Sequence, residues 1–358
     1  MAVKRDPFFD NAKLLLILFV VFGHLLNDFR ESSPILYSIY NFIYFFHIPG
    51  FVFIAGYFSK NYGRSGHFGN LVVRMLLPYL FFHIAYHILY HFLEGDPVFP
   101  LRIYDPHWTL WFLVSMVSWY ALLRPLKKLP YPFLISLIAG LGVGCIGSAG
   151  CELSLSRTFV FLPFFVLGHL TAEKKIDFLR TKKAGWVGLF GLMTLFMGVH
   201  FLIPNGVEDW LLGSYSYSAM EMGRIQGVAL RVGVYSVSFL VTACFLAVVP
   251  KRNLFFTEFG SRSLYVFLLH GFFVQTVLAV PSLHSWVDGG HYWFIFTLSL
   301  VLTVLLASRP VVWFAKPVVE LERGGGFPLE SVMPHKLWAK WRKERESGGR
   351  GETRQHYV

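Results

Sequence analysis

The feature that most constrains this chain is a series of apolar runs, at 8–27, 35–58, 71–93, 107–124, 132–149, 157–172, 185–203, 225–249, 263–281 and 291–309. Each is long enough, or nearly so, to cross a hydrocarbon layer about 30 Å thick as a helix. The shortest, 157–172, also carries Pro163. Only 15% of the residues are charged, against about 25% in a soluble domain. Such a chain cannot hide its apolar surface in a water-soluble core. In lipid every backbone polar group must be satisfied internally, which leaves helices for runs of this length. The expected fold is all-α: a polytopic membrane bundle of about ten transmembrane helices. The residues up to Lys13 are charged, and no small-residue cleavage site follows the first run, so a cleavable signal peptide is not expected.

Charge placement predicts the topology. Of the 32 Lys and Arg, all but Arg30, Arg102, Arg157, Arg224 and Arg231 fall in alternate loops or in the C-terminal tail. Basic loops face the cytoplasm, so both termini are expected inside, with an even number of spans. The intervening loops are acidic or neutral. The longest of them, 204–224, is rich in Trp and Tyr and is expected along the outer interface. The net charge of +11 is therefore an orientation signal with affinity for the lipid bilayer, not a nucleic-acid surface. The expected division is a transmembrane domain over 1–316 and a basic cytoplasmic tail over 317–358, with an amphipathic patch near Leu337 to Trp341. Cys145, Cys151 and Cys244 do not make a disulfide framework and read chiefly as inert buried thiols. No Cys/His spacing suits a metal, and none is expected.

Ionisable groups inside a membrane span are costly and commonly functional. The first run, FFDNAKLLLILFVVFGHLLND, holds Asp10, Lys13 and His24. At 100° per residue, the step from Lys13 to His24 returns to within about 20° of the same direction. Asp10 and Asn27 share that side. The rise separates Lys13 from His24 by about 16 Å along the axis. A neutral imidazole in the span can take a proton from a hydroxyl. A lysine and a carboxylate at the inner mouth can orient a charged co-substrate. Interfacial anchoring by Asp10 and Lys13, with His24 as a packed core residue, accounts for the same positions.

The run DNAKLLLILFVVFGHLL resembles the opening helix of the integral-membrane acyltransferase-3 family: a basic residue, ten others, then histidine. FFHIPGFVFIAGYFSK, LVVRMLLPYL, WTLWFLVSMVSWY, FLPFFVLGHL and GSRSLYVFLLHGFF resemble later segments in the same order, over roughly residues 5–310. The subgroup it most resembles is the fucose 4-O-acetylase-like proteins. The resemblance implies ten core helices and acyl transfer from a cytosolic acyl-CoA to a carbohydrate hydroxyl. His24 matches the family's essential histidine. Lys13 stands where many members carry arginine, keeping the charge but not the bidentate fork. Arg74 matches one of a paired-arginine motif whose other position is Leu71.

On this reading acetyl-CoA is the co-substrate, its phosphates near Lys13, Arg74 and Arg64, and its arm directed toward His24. Asp10 holds Lys13. His24 is a general base or a transient carrier of the acetyl group. The acceptor is a carbohydrate or glycan, with His47, Trp108, Trp111 and His270 as substrate-binding residues; aromatic-belt packing and helix bending are the plainer explanations of the same positions. Arg157 reads as a snorkelling residue. Glu221 and Arg224 are candidates to line an outer cavity. His83, His87 and His91 recur on one helical face, open between a cavity wall, interhelical packing and a metal site. The alternative functions are a polysaccharide or small-solute transporter or exporter, for which no half-to-half similarity is found, and a sensor or scaffold working through its tail.

Overall fold

The computed structural model describes residues 5–62, 67–94, 102–147, 154–204 and 206–320, and all regular structure among them is helical. Arg64, Cys151 and the tail beyond Glu320 lie outside the described residues.

Helix α1 spans Pro7–Leu26. Its start follows from local chemistry: the Asp6 carboxylate accepts from the Phe8 amide at 3.0 Å, Pro7 occupies the first turn, and Asp10 sits at the positive end of the helix dipole. A 3₁₀ turn, Asn27–Ser32, follows. The second apolar run is broken into α2 (Pro34–Tyr44) and α3 (His47–Phe58), with Phe46 at the junction in a non-helical conformation. Then come α4 (His67–Glu94), α5 (Trp111–Leu126), α6 (Pro132–Gly142), α7 (Leu155–Leu170), α8 (Glu173–Leu179), α9 (Lys182–Leu202), α10 (Glu208–Leu212) and α11 (Arg224–Val248). The remainder is α12 (Thr257–Gly260), α13 (Ser263–Leu278), α14 (Pro281–Asp288), α15 (Trp293–Leu306) and α16 (Arg309–Val319).

Each of the ten apolar runs contains helix. Among the described residues, five stretches are individually long and apolar enough to cross a membrane: Pro7–Ser32, Pro34–Phe58, Phe68–Leu93, Lys182–Leu202 and Arg224–Val248. Three more are bent pairs, α7–α8 at 99°, α13–α14 at 82° and α15–α16 at 66°. The helices at Trp111–Leu126 and Pro132–Cys145 are apolar but shorter. One face of α9 is turned outward: Trp186, Val187, Phe190, Phe201 and Leu202 are 70–81% exposed. A soluble protein would bury such a row, whereas lipid solvates it.

Helix α1 is the central column. Ala12, Leu16, Ile17, Val20 and Val21 are at most 1% exposed, against α3, α12, α13 and α15. Its N-terminal end is clamped by the 250–260 segment. Asn11 donates to the carbonyls of Pro250 (2.9 Å) and Arg252 (3.0 Å) and accepts from the Thr257 hydroxyl (2.7 Å). Arg180, at the end of α8, pairs with Asp6 and lies over the Phe8 ring. Helices α3 and α7 touch backbone to backbone. A Cβ on Gly56 would stand 2.0 Å from the Phe165 carbonyl oxygen, and one on Gly168 would stand 2.1 Å from that of Phe53. Small residues at the crossing are how membrane helices gain close packing without a hydrophobic drive.

The segment from Gly206 to Arg224 packs against the bundle. Trp210 and Tyr217 are buried and stack on each other, with centroids 5.6 Å apart. The Tyr37 hydroxyl ties α10 to α2, donating to Glu208 at 2.5 Å and accepting from the Gly206 amide at 2.8 Å. The segment thus folds over the bundle and supplies cavity wall.

Candidate active site

Two cavities occupy the polar side of α1. The first, of about 250 Å³, is lined by His24 and Asn27 from α1 and its following turn, His47 from α3, Trp108 from the turn before α5, Trp111 from the start of α5, and Arg157 from α7. Tyr40 and Tyr44 form a buried wall; their rings stack at 4.1 Å, and the Tyr40 hydroxyl donates to the Asn27 side-chain oxygen at 3.1 Å.

His24 on the wall of this cavity is backed by His270, a histidine from the opposite end of the chain that, contrary to expectation for a substrate-binding residue, is buried behind His24 and does not line the cavity. His24 Nδ1 lies 3.0 Å from His270 Nε2. His270 is fully buried, and its Nδ1 lies 3.0 Å and 2.8 Å from the carbonyl oxygens of Val266 and Phe267. Carbonyls only accept, so His270 Nδ1 carries its proton, and the neutral ring leaves Nε2 as an acceptor. That lone pair receives the His24 Nδ1–H. His24 is thereby held in the tautomer whose Nε2 lone pair is uncommitted. The His24 ring packs against the Trp108 indole at 4.3 Å. Trp108 has φ +36°, a left-handed conformation costly for a bulky residue, so the surrounding structure fixes this indole in a strained position.

The other expected residues divide. His47 is buried, and its Nδ1 donates to the Ile43 carbonyl at 2.8 Å across the α2–α3 break, so it both stitches that break and lines the cavity. Trp111 also lines it, but Phe161 stacks on its ring and the Arg157 guanidinium lies over it at 5.0 Å. Arg157 donates further to the Leu212 carbonyl (3.3 Å) and the Ser214 hydroxyl (2.9 Å). It is therefore a cavity residue gripping the 204–224 segment, not a side chain snorkelling to the interface. Glu221 and Arg224 are exposed and are not among the lining residues.

The second cavity, of about 230 Å³, contains Lys13 and Ser263 in an otherwise apolar wall that includes Phe51, Met75, Met116 and Leu264. Lys13 pairs with the buried carboxylate of Asp10 at 2.7 Å. Arg74 is exposed on α4, one position before Met75. The two cavities share four lining residues: Val20, Ile48, Phe112 and Phe267.

His83, His87 and His91 line neither cavity. Of the three only His83 is buried, with its ring 4.5 Å from that of His107. No group of three or more His, Cys, Asp or Glu suited to a metal ion occurs among the described residues.

A family model described as an Acyltransferase domain matches residues 6–308. The nodulation protein NolL of Mesorhizobium japonicum is 28% identical over 191 residues, 48% of this chain and 48% of that protein. The nodulation protein NolL of Sinorhizobium fredii is 31% identical over 129 residues, 32% of this chain and 35% of that protein. The chain spans about half or less of the length of these relatives. No solved structure matches it.

Proposed function

This chain belongs to the acyltransferase-3 family as a multi-pass integral membrane protein, and from that premise we propose that it moves an acetyl group from acetyl-CoA to a carbohydrate hydroxyl, with His24 as general base. The observation that carries the proposal is the 3.0 Å contact of His24 Nδ1 with His270 Nε2, which with a neutral His270 leaves His24 Nε2 as a lone pair beside a cavity walled by Trp108, Tyr40, Tyr44 and Asn27. Aromatic faces with a few polar groups suit a sugar ring.

Acetyl-CoA enters from the Lys13 side, which is the cytoplasmic side in the orientation predicted by the basic loops. The Lys13 cavity fits this assignment: one cation at an apolar passage leading toward His24. Lys13 meets phosphate charge there, held in place by Asp10. Arg74 and Arg64 are proposed as outer phosphate contacts. Acetyl-CoA supplies the thioester carbonyl and a thiol leaving group. His24 Nε2 takes the proton from the acceptor hydroxyl as its oxygen bonds to the carbonyl carbon. As the C–S bond breaks, the imidazolium returns that proton to sulfur. His270 accepts from His24 Nδ1 throughout, steadying the ring while it is charged.

Replacing His24 with Ala should abolish transfer from radiolabelled acetyl-CoA to surface glycans in membranes, while leaving the protein folded and inserted. Undiminished transfer by that variant would end the assignment. Solute flux with no acyl transfer by the unaltered protein would favour an exporter.

A further inference from the structure

Four helices each contribute one apolar side chain to the walls of both cavities. Val20 lies one turn before His24 on α1, and Phe267 lies just under one turn before His270 on α13. Ile48 follows His47 on α3, and Phe112 follows Trp111 on α5. Each therefore adjoins a residue of the candidate site on the side toward Lys13. Val20 is 1% exposed. The Phe112 and Phe267 rings meet at 5.6 Å with planes at 55°, and Trp119 backs Phe112 edge-to-face, also at 5.6 Å. The two spaces differ in chemistry. The wall beyond these residues carries His24, His47, Asn27, Asp28 and Arg157, whereas the wall before them has Lys13 and Ser263 as its polar members.

We infer that Val20, Ile48, Phe112 and Phe267 form an apolar septum that keeps water of the His24 cavity from the acyl thioester in the Lys13 cavity, and that opens only for the acyl end of the donor. The inference rests on the proposed acyl transfer. A base that can deprotonate a sugar hydroxyl can deprotonate water as well. Water attacking the thioester would form the carbonyl C–O bond and break the C–S bond, and His24 would carry the proton from water to sulfur, giving a free carboxylic acid and CoA thiol. A polar, wet cavity open to a waiting thioester would therefore squander donor. Excluding water until the acceptor fills the site removes that side reaction. The aromatic pair can part by side-chain rotation, which is fast compared with typical turnover.

Two measurements test this. In the first, CoA-thiol release from acetyl-CoA is followed without any acceptor, for the purified protein in lipid nanodiscs. Phe112→Ala and Phe267→Ala should each raise release about tenfold or more, because water then reaches the thioester. Phe112→Leu should stay near the unaltered protein. The second does not depend on activity. In a background carrying Cys145→Ala, Cys151→Ala and Cys244→Ala, Ser263→Cys reports on the Lys13 cavity, and Gln275→Cys, at a position of α13 that lines the His24 cavity, reports on the latter. Sealed vesicles of both orientations are treated with a membrane-impermeant maleimide, and labelling of Gln275→Cys identifies the His24 face. From that face Ser263→Cys should be unreactive with the septum intact and reactive once Phe112→Ala or Phe267→Ala is added. Monodisperse elution of each variant shows that it is folded. Labelling of Ser263→Cys from the His24 face with the septum intact, or no change on adding either alanine, would overturn the septum. If labelling behaves as expected but no variant turns over acetyl-CoA, the septum stands and the acyl-transfer reading fails.

Discussion

Replacing His270 with Leu is the most informative single change to the histidine pair. Leu is close to His in size and apolar, so it fills a fully buried position on α13 without opening a void. What it removes is the acceptor 3.0 Å from His24 Nδ1. The Nδ1–H is then left without its partner in a buried site, and the ring is free to adopt the tautomer that turns a proton, not a lone pair, toward the cavity. A lost partner of this kind costs about 1–3 kcal/mol, which is about 5- to 150-fold in kcat if it falls on the reacting state. His270 need not touch the acetyl donor, so KM for acetyl-CoA should stay within about threefold, because uniform binding is unchanged. His270→Gln supplies a side-chain oxygen near the lost Nε2 and should recover much of the rate; a role in packing alone predicts no such recovery. The assay is initial-rate acetyl transfer in membranes at matched protein levels. Wild-type kcat in His270→Leu, or equal losses in the Leu and Gln variants, would refute the positioning argument.

Lys13→Ala should raise KM for acetyl-CoA by up to about fivefold, the worth of one charge contact near a surface, with a smaller effect on kcat; Lys13→Arg should retain near-normal KM. Steady-state titration with acetyl-CoA decides this, and an unchanged KM would remove Lys13 from the donor site. Gly56→Ala puts a Cβ 2.0 Å from the Phe165 carbonyl, so α3 and α7 must separate; a loss of about 1–3 kcal/mol is expected from overpacking, read as a lower thermal midpoint in detergent. An unshifted midpoint would show that the crossing yields more easily than its geometry implies.

Much of the fold was legible because lipid enforces a simple rule: runs of span length become helices, and each of the ten does so in part. The polar stripe on α1 was equally legible, since helical periodicity within one segment shows that Asp10, Lys13 and His24 share a side. Periodicity does not show what stands opposite that side. His270 was singled out as a residue facing the substrate, yet its partnership with His24 depends on α13 packing against α1 across 246 positions. Arg157 misled for a related reason. A cation at a span end looks the same in sequence whether it reaches water or grips a loop, and only the fold of 204–224 back over the bundle distinguishes the two. The His83, His87 and His91 series does form one face, but α4 buries only His83, so a shared direction did not make a shared site.

The separation between His24 and His270 also orders events during synthesis. Helix α1 enters the bilayer early, while α12, α13 and α15, against which it packs, are still to be made. In that interval its carboxylate, amine and imidazole must be sheltered by the insertion machinery or by transient neighbours. His24 acquires its His270 partner only when the ninth apolar run arrives. A nascent or truncated chain ending before residue 263 thus carries His24 without the residue that its Nδ1 contacts in the assembled bundle.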